Sequence, residues 1–94
     1  MNLEIKDALQ QFRIWRDSSA GLWVTLSEEG KTVRKPCRIS AVGKASIVVS
    51  RRGEHAFKIR RLDEADFELI DSPEAVMEIS WPDGQSCRFE VKTG

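Results

Sequence analysis

Apolar residues at the start of the chain recur at helical spacing. Ile5, Ala8, Leu9, Phe12 and Trp15 share one stripe of a repeat of about 3.6 residues. The pattern predicts an amphipathic helix over about residues 3–16, within a helical segment 1–18. Asn2 suits the N-cap, and Asp17-Ser18-Ser19-Ala20-Gly21 suits the stop. Phe12 and Ile14 also alternate with Arg13, so an extended tail is the competing reading there.

After Gly21 the period changes to two. Leu22, Val24 and Leu26 alternate with Trp23 and Thr25, which predicts a first strand. Glu28-Glu29-Gly30-Lys31 reads as a turn. A second strand over 32–42 carries Val33, Cys37 and Ile39. Pro36 has no N–H to donate, so it predicts a bulge or an edge. Val42-Gly43-Lys44 turns the chain into Ser46-Ile47-Val48-Val49-Ser50, a β-branched and central strand. After a turn at Arg51-Arg52-Gly53-Glu54, His55 to Leu62 reads as a fourth strand. Phe57 and Ile59 face one way, Lys58 and Arg60 the other.

Asp63 to Asp66 reads as an acidic connector, and Phe67-Glu68-Leu69-Ile70 as a short strand. Asp71-Ser72-Pro73-Glu74 can open one helical turn, because Pro suits the first helical position. Val76, Glu78 and Ser80 then alternate with Met77, Ile79 and Trp81. Pro82-Asp83-Gly84 is a turn signal, and Cys87, Phe89 and Val91 alternate beyond it. Such closely spaced turns favour a small barrel or sandwich, and a barrel removes exposed edges. The expected architecture is one mostly β domain over residues 1–94. It has an N-terminal helix (1–18), a small, strongly bent antiparallel β-barrel of Sm-like or SH3-like type (21–70), and a C-terminal β-hairpin (76–92).

Composition narrows the class. The chain has 94 residues, 40% hydrophobic and 32% charged, which fits one globular domain with a modest core. No apolar run approaches the ~18–20 residues that span a bilayer. The charged start, Met1-Asn2-Leu3-Glu4-Ile5-Lys6-Asp7, does not read as a secretory signal. Cys37 and Cys87 read as thiols in a reducing cytoplasm, with a single bridge between them as the alternative. The expected location is cytoplasmic, with no membrane partner.

Candidate chemistry is sparse. Two distant cysteines and one histidine do not make a structural zinc site. Asp63-Glu64-Ala65-Asp66 lacks the ligand rhythm of a calcium loop and reads as a solvated turn. Cys37 and His55 form a nucleophile–base pair only if the fold joins them; a buried thiol and a surface histidine is the simpler reading. Adjacent Glu28 and Glu29 point to opposite faces of a strand and make a poor acid–base pair. The chain has no Gly-rich phosphate loop. No enzymatic activity and no cofactor are therefore expected. Trp15 lies on the helix stripe and reads as core. Trp23 either packs under the helix or stands exposed as a contact residue. Trp81 reads as a cap on the barrel rim.

Charge adds a lead. Residues 31–61 hold ten Lys/Arg against one acid, Glu54, while residues 62–90 hold nine acids against one base, Arg88. The net charge of zero conceals this asymmetry, which suggests a charged partner. Neighbouring strands that neutralise each other are the alternative explanation. Lys44, Arg51 and Arg52 in turns, with Lys58 and Arg60 on one strand face, are the candidate phosphate contacts. Arg61 is expected on the other face.

The helix, then Leu22-Trp23-Val24-Thr25-Leu26, then Gly30, resembles the Sm-like fold family. Ile39, Gly43, Ser46 and Val49 match the spacing of that family's leucine, aspartate, asparagine and final aliphatic residue. Family members bind uridine-rich RNA partly through the asparagine, supported by the aspartate. The resemblance therefore adds Ser46 to the candidate contacts, although Gly43 and Ser46 differ in type from the family's residues. Lys35-Pro36 lies near the place of the family's second-strand glycine. Arg34-Lys35-Pro36-Cys37-Arg38 also resembles the arginine motif of PilZ domains, which bind cyclic dinucleotides. That family's following Asp-x-Ser-x-x-Gly motif has no counterpart here. The leading expectation is a non-enzymatic Sm-like homo-oligomer that binds RNA or another polyanion through its basic middle. The competing one is a protein-interaction or assembly module without nucleic acid, in which the basic middle of one subunit meets the acidic segment of another. An enzyme assembled from Cys37, His55 or scattered carboxylates ranks third.

Overall fold

A computed structural model describes residues 1–51, 57–71 and 75–92. The elements run β1 (Asn2–Leu3), α1 (Ile5–Asp17), β2 (Leu22–Glu28), β3 (Lys31–Val42), β4 (Ile47–Ser50) and β5 (Phe57–Ile59). A 3-10 turn (Leu62–Glu64), β6 (Asp66–Asp71), β7 (Ala75–Ser80) and β8 (Ser86–Val91) follow. The fold is mostly β with one N-terminal helix, as the periodicity predicts. Its strands form one antiparallel sheet in the order β1-β6-β7-β8-β2-β3-β4-β5. The expected barrel is not closed by hydrogen bonds. The C-terminal hairpin β7–β8 sits inside this sheet, because β8 pairs along β2 from Leu22↔Val91 to Ser27↔Ser86.

Helix α1 buries the predicted stripe. Ala8, Leu9, Phe12 and Trp15 are buried, and Ile5 packs against the core edge. The helix runs to Asp17, so its tail is not extended. Asn2 is not the N-cap. It pairs with Glu68 in β6, and Leu3 pairs with Phe67. The ladder offered by β6 takes the backbone that a cap would have used. Glu4 precedes the helix instead, and its carbonyl accepts from the Asp7 and Ala8 amides at 3.1 Å. At the other end, Ser19 N–H donates to Arg16 O and Ala20 N–H to Trp15 O. Ser19 holds the left-handed conformation, with φ 53°, that glycine usually occupies at such a stop.

The helix lies on the inner face of the sheet. Every strand from β2 to β8 contributes buried residues there: Leu22 and Val24, Cys37 and Ile39, Ile47 and Val49, Ile59, Phe67, Met77 and Ile79, Cys87 and Phe89. The Phe12 ring centroid is 5.1 Å from Phe89, and Trp15 stacks on Phe89 at 6.3 Å.

Strand β3 changes partner midway. Residues 31–37 pair with β2, and residues 38–42 pair with β4, with a register shift between Ile39 and Ala41. The irregularity falls after Pro36, which itself pairs with Trp23. Among the described residues no strand pairs on the other side at Pro36, so its missing N–H interrupts no second ladder there. The β2–β3 turn at Glu29-Gly30 has positive φ at both residues, 47° and 78°, the geometry that matches strand twist in two-residue hairpins.

The fourth strand is shorter than the periodicity predicts. It covers Phe57–Ile59, and Leu62 instead opens the 3-10 turn and is fully buried. Leu62 N–H donates to Ala45 O, which fastens this turn to the β3–β4 hairpin. His55, Arg52, Glu54 and the helical turn expected at Ser72-Pro73-Glu74 lie outside the described residues.

Candidate functional site

Strand alternation decides which charges face outward. With Leu22, Val24 and Cys37 buried inside, Trp23, Thr25, Arg34, Pro36 and Arg38 lie on the outer face. Trp23 thus stands away from the helix. Its ring carries two cations, Arg34 Cζ at 4.5 Å from the centroid and Lys92 Nζ at 5.2 Å. Arg34 comes from β3 on one side of β2. Lys92 follows β8 on the other side, where its N–H donates to Gly21 O at 2.8 Å.

Beside this cluster an open concavity of about 770 Å³ is lined by residues that include Pro36, Cys37, Arg38, Ser50, Arg51 and Lys92. Arg51 is thereby brought together with Arg38 and Lys92. Lys58 and Arg60 are exposed and line a separate, smaller cleft of about 260 Å³ beside Glu28 and Gln85. Lys44 and Ser46 sit in the β3–β4 turn, separated from Arg51 by the whole of β4, roughly 13 Å of strand. There Gly43 N–H donates to Ser46 O at 2.7 Å, and a Cβ on Gly43 would lie 3.1 Å from Ser46 Oγ. Gly43 and Ser46 therefore shape a tight turn. Arg52, the remaining candidate, lies outside the described residues.

The two charge blocks are not ladder neighbours. The basic block occupies β3, β4 and β5, the acidic block occupies β6, β7 and β8, and β2 runs between them. Neutralisation by adjacent strands is thus not what the fold does. Among the described residues Arg38, Lys44, Lys58 and Arg60 have no carboxylate within ion-pair distance, and Arg34 rests on Trp23.

Arg61 forms a direct ion pair between the blocks. Its Nη2 donates to Asp83 Oδ2 at 2.9 Å and to Gln85 Oε1 at 3.3 Å. Its carbonyl accepts from Trp81 Nε1 at 2.8 Å, and Gln85 Nε2 reaches Glu28 Oε1 at 3.0 Å. This clasp joins the end of β5 to the β7–β8 turn and the β2–β3 hairpin, a place where the open sheet has no ladder. Hydrogen bonding to Asp83 raises the Arg61 pKa; the same bond, with the Gln85 amide, holds the Asp83 carboxyl below its ordinary value. Arg61 itself has φ 60°, a left-handed conformation that the clasp holds in place.

Both cysteines are buried thiols. Burial, with Cys37 adding to it, pushes the Cys87 pKa far above its usual value. What the arrangement offers is fixed positive charge around an aromatic ring, suited to holding an anion.

Trp23 takes the second of its two sequence readings, an exposed contact residue. Arg34 and Arg38 enter the sequence reading only as part of the PilZ-like run and not as phosphate contacts, and Lys92 is not a sequence candidate. The Glu29-Gly30 turn sets a register in which Arg34 lies diagonal to Trp23, so that contact has a signal in the sequence. Lys92 has none, because it depends on β8 pairing with β2 across the whole chain. Comparison with known proteins returns no matching family model, no matching curated protein and no matching solved structure.

Proposed function

We propose that this chain is a non-enzymatic, Sm-like domain that binds RNA through the basic outer surface of β3 and β4. One observation carries the reading. Arg34, Arg38, Arg51 and Lys92 gather around Trp23 and the adjoining concavity, where β3 and β4 meet the end of β8 across β2. Phosphate contacts of this kind supply most of non-specific nucleic-acid affinity. The helix packed on a strand that bends between two partners supports the Sm-like part.

Filter binding of oligo-uridylate at two salt concentrations tests it. Four phosphate contacts on a single strand predict a slope of log affinity against log salt of about −3. Reversing two charges, Arg34→Glu with Arg38→Glu, is expected to weaken binding roughly 100-fold. Absence of binding at low salt, or indifference to the reversals, rejects the reading.

A second reading has its own support. One molecule presents a basic and an acidic surface, which favours head-to-tail self-association. Light scattering across a salt series separates the two: an oligomer that dissociates at high salt and ignores RNA supports assembly alone.

A further inference from the structure

We propose that Trp23 is a stacking platform for one base of a single-stranded nucleic acid, with Arg34 and Lys92 as the phosphate clamps on either side. The inference rests on the RNA-binding reading and names how that surface selects its ligand.

The three tryptophans are placed differently. Trp15 and Trp81 are buried, and the Trp81 N–H is satisfied by Arg61 O. Trp23 is half-buried on the outer face of the central strand β2, the face opposite the helix. Its ring is bracketed by a guanidinium and an ammonium from different neighbouring strands, at 4.5 and 5.2 Å. The carboxylate beside it in the ladder, Glu90, turns to Arg88, with Oε1 3.3 Å from Arg88 Nε.

Cation–π contacts at an exposed surface are weak and exchangeable. A base has a π-face that can take the place of either cation on the ring, and the displaced cation then lies beside the phosphate attached to that base. Arg38, on the same face of β3 as Arg34, and Arg51 in the concavity shared with Lys92, extend the positive path past the ring. This combination of a cationic track and an aromatic face is how single strands are held without sequence readout. A duplex keeps its bases stacked inside and offers only phosphate. The site therefore favours single strands over duplex and over a phosphate chain without bases.

The test is fluorescence titration of the full chain with oligo-uridylate and, separately, with inorganic polyphosphate. Trp15 and Trp81 are buried, so quenching reports Trp23. Oligo-uridylate is expected to quench, and polyphosphate to bind with much less quenching. Trp23→Ala is expected to lower oligo-uridylate affinity about tenfold and to leave polyphosphate affinity unchanged. Trp23→Phe, which keeps a ring on the same strand, retains most of the affinity and stands in if the alanine variant fails to fold. Equal losses for both ligands, no loss for either, or equal quenching by both overturns the stacking site while the basic-surface reading survives. If the wild-type chain binds neither ligand, both fail.

Discussion

The outer surfaces of β3–β5 and β6–β8 belong to one sheet and cover one core, yet they treat charge differently. On the acidic side, Glu68 faces Glu78 across the β6–β7 ladder, a like-charge pair that is unfavourable by itself. Arg88 stands on the next strand opposite Glu78 and contacts it at 3.0 Å, and also contacts Glu90 at 3.3 Å. That side carries its own counter-ion. On the basic side, Arg38, Lys44, Lys58 and Arg60 meet no carboxylate among the described residues, and Arg34 covers an indole that Lys92 reaches from the end of β8. Such charge does little to hold the fold, so it is available to a partner. The difference supports the proposal that a partner docks on the basic side, and it shows charge compensated within β7–β8.

The comparison assumes that the two sides share one core, and Phe12 tests that most severely. It is fully buried and its ring meets both Trp15 and Phe89. Phe12→Ala is expected to cost about 3–5 kcal/mol, a large part of the ~5–15 kcal/mol that small domains possess. Urea unfolding followed by far-UV circular dichroism and by tryptophan fluorescence should show one coincident transition, moved to lower urea. Two separated transitions would mean that the sides fold independently, and the comparison would fail.

A smaller effect separates the sides directly. Arg88→Ala leaves Glu78 and Glu90 without their cation, with Glu68 still opposite Glu78. Its pairs are partly exposed, so the expected loss is about 0.5–1 kcal/mol at low salt, less at high salt. Arg38→Ala on the basic side is expected to change stability by less than about 0.5 kcal/mol. Paired urea melts at two salt concentrations measure both; equal losses would erase the proposed division of roles.

Local pattern carried much of this architecture and non-local pairing carried the rest. The stripe Ala8, Leu9, Phe12 and Trp15 is legible because helical spacing and burial coincide. The Glu29-Gly30 hairpin is legible because its turn chemistry is local. Asn2 misleads because its neighbour in space, Glu68, is far away in sequence. Leu62 falls in register with Lys58 and Arg60 if the strand continues, yet the chain turns at Arg61 and buries it. The placement of β2 between the charge blocks depends on β8 joining β2, a register that no short segment encodes. The sequence candidates Arg51, Lys58 and Lys44 fall at three different places on the sheet for that reason, while the cluster around Trp23 draws on residues nearly seventy positions apart.

The smallest expected effect concerns the clasp where the two sides meet. Arg61 belongs to the basic block and Asp83 to the acidic one, and both are solvent-accessible, so their bond adds only modestly to stability. Its pH dependence has a definite sign. The folded-state pKa of Asp83 is depressed, chiefly by the hydrogen bond from Arg61 and next by the Gln85 amide. The unfolded chain therefore takes up a proton first as pH falls. The contribution is fully present above the ordinary aspartate pKa of about 3.9 and is lost as pH falls through the lower folded value. Asp83→Asn removes this carboxylate. The variant's urea midpoint is expected to lie slightly below the wild type's at neutral pH, and the gap should close on acidification. A gap that stays constant into the acid range would show that the Arg61–Asp83 bond contributes nothing that depends on the Asp83 charge, and that the open sheet is fastened at this corner by Trp81, Gln85 and Leu62 instead.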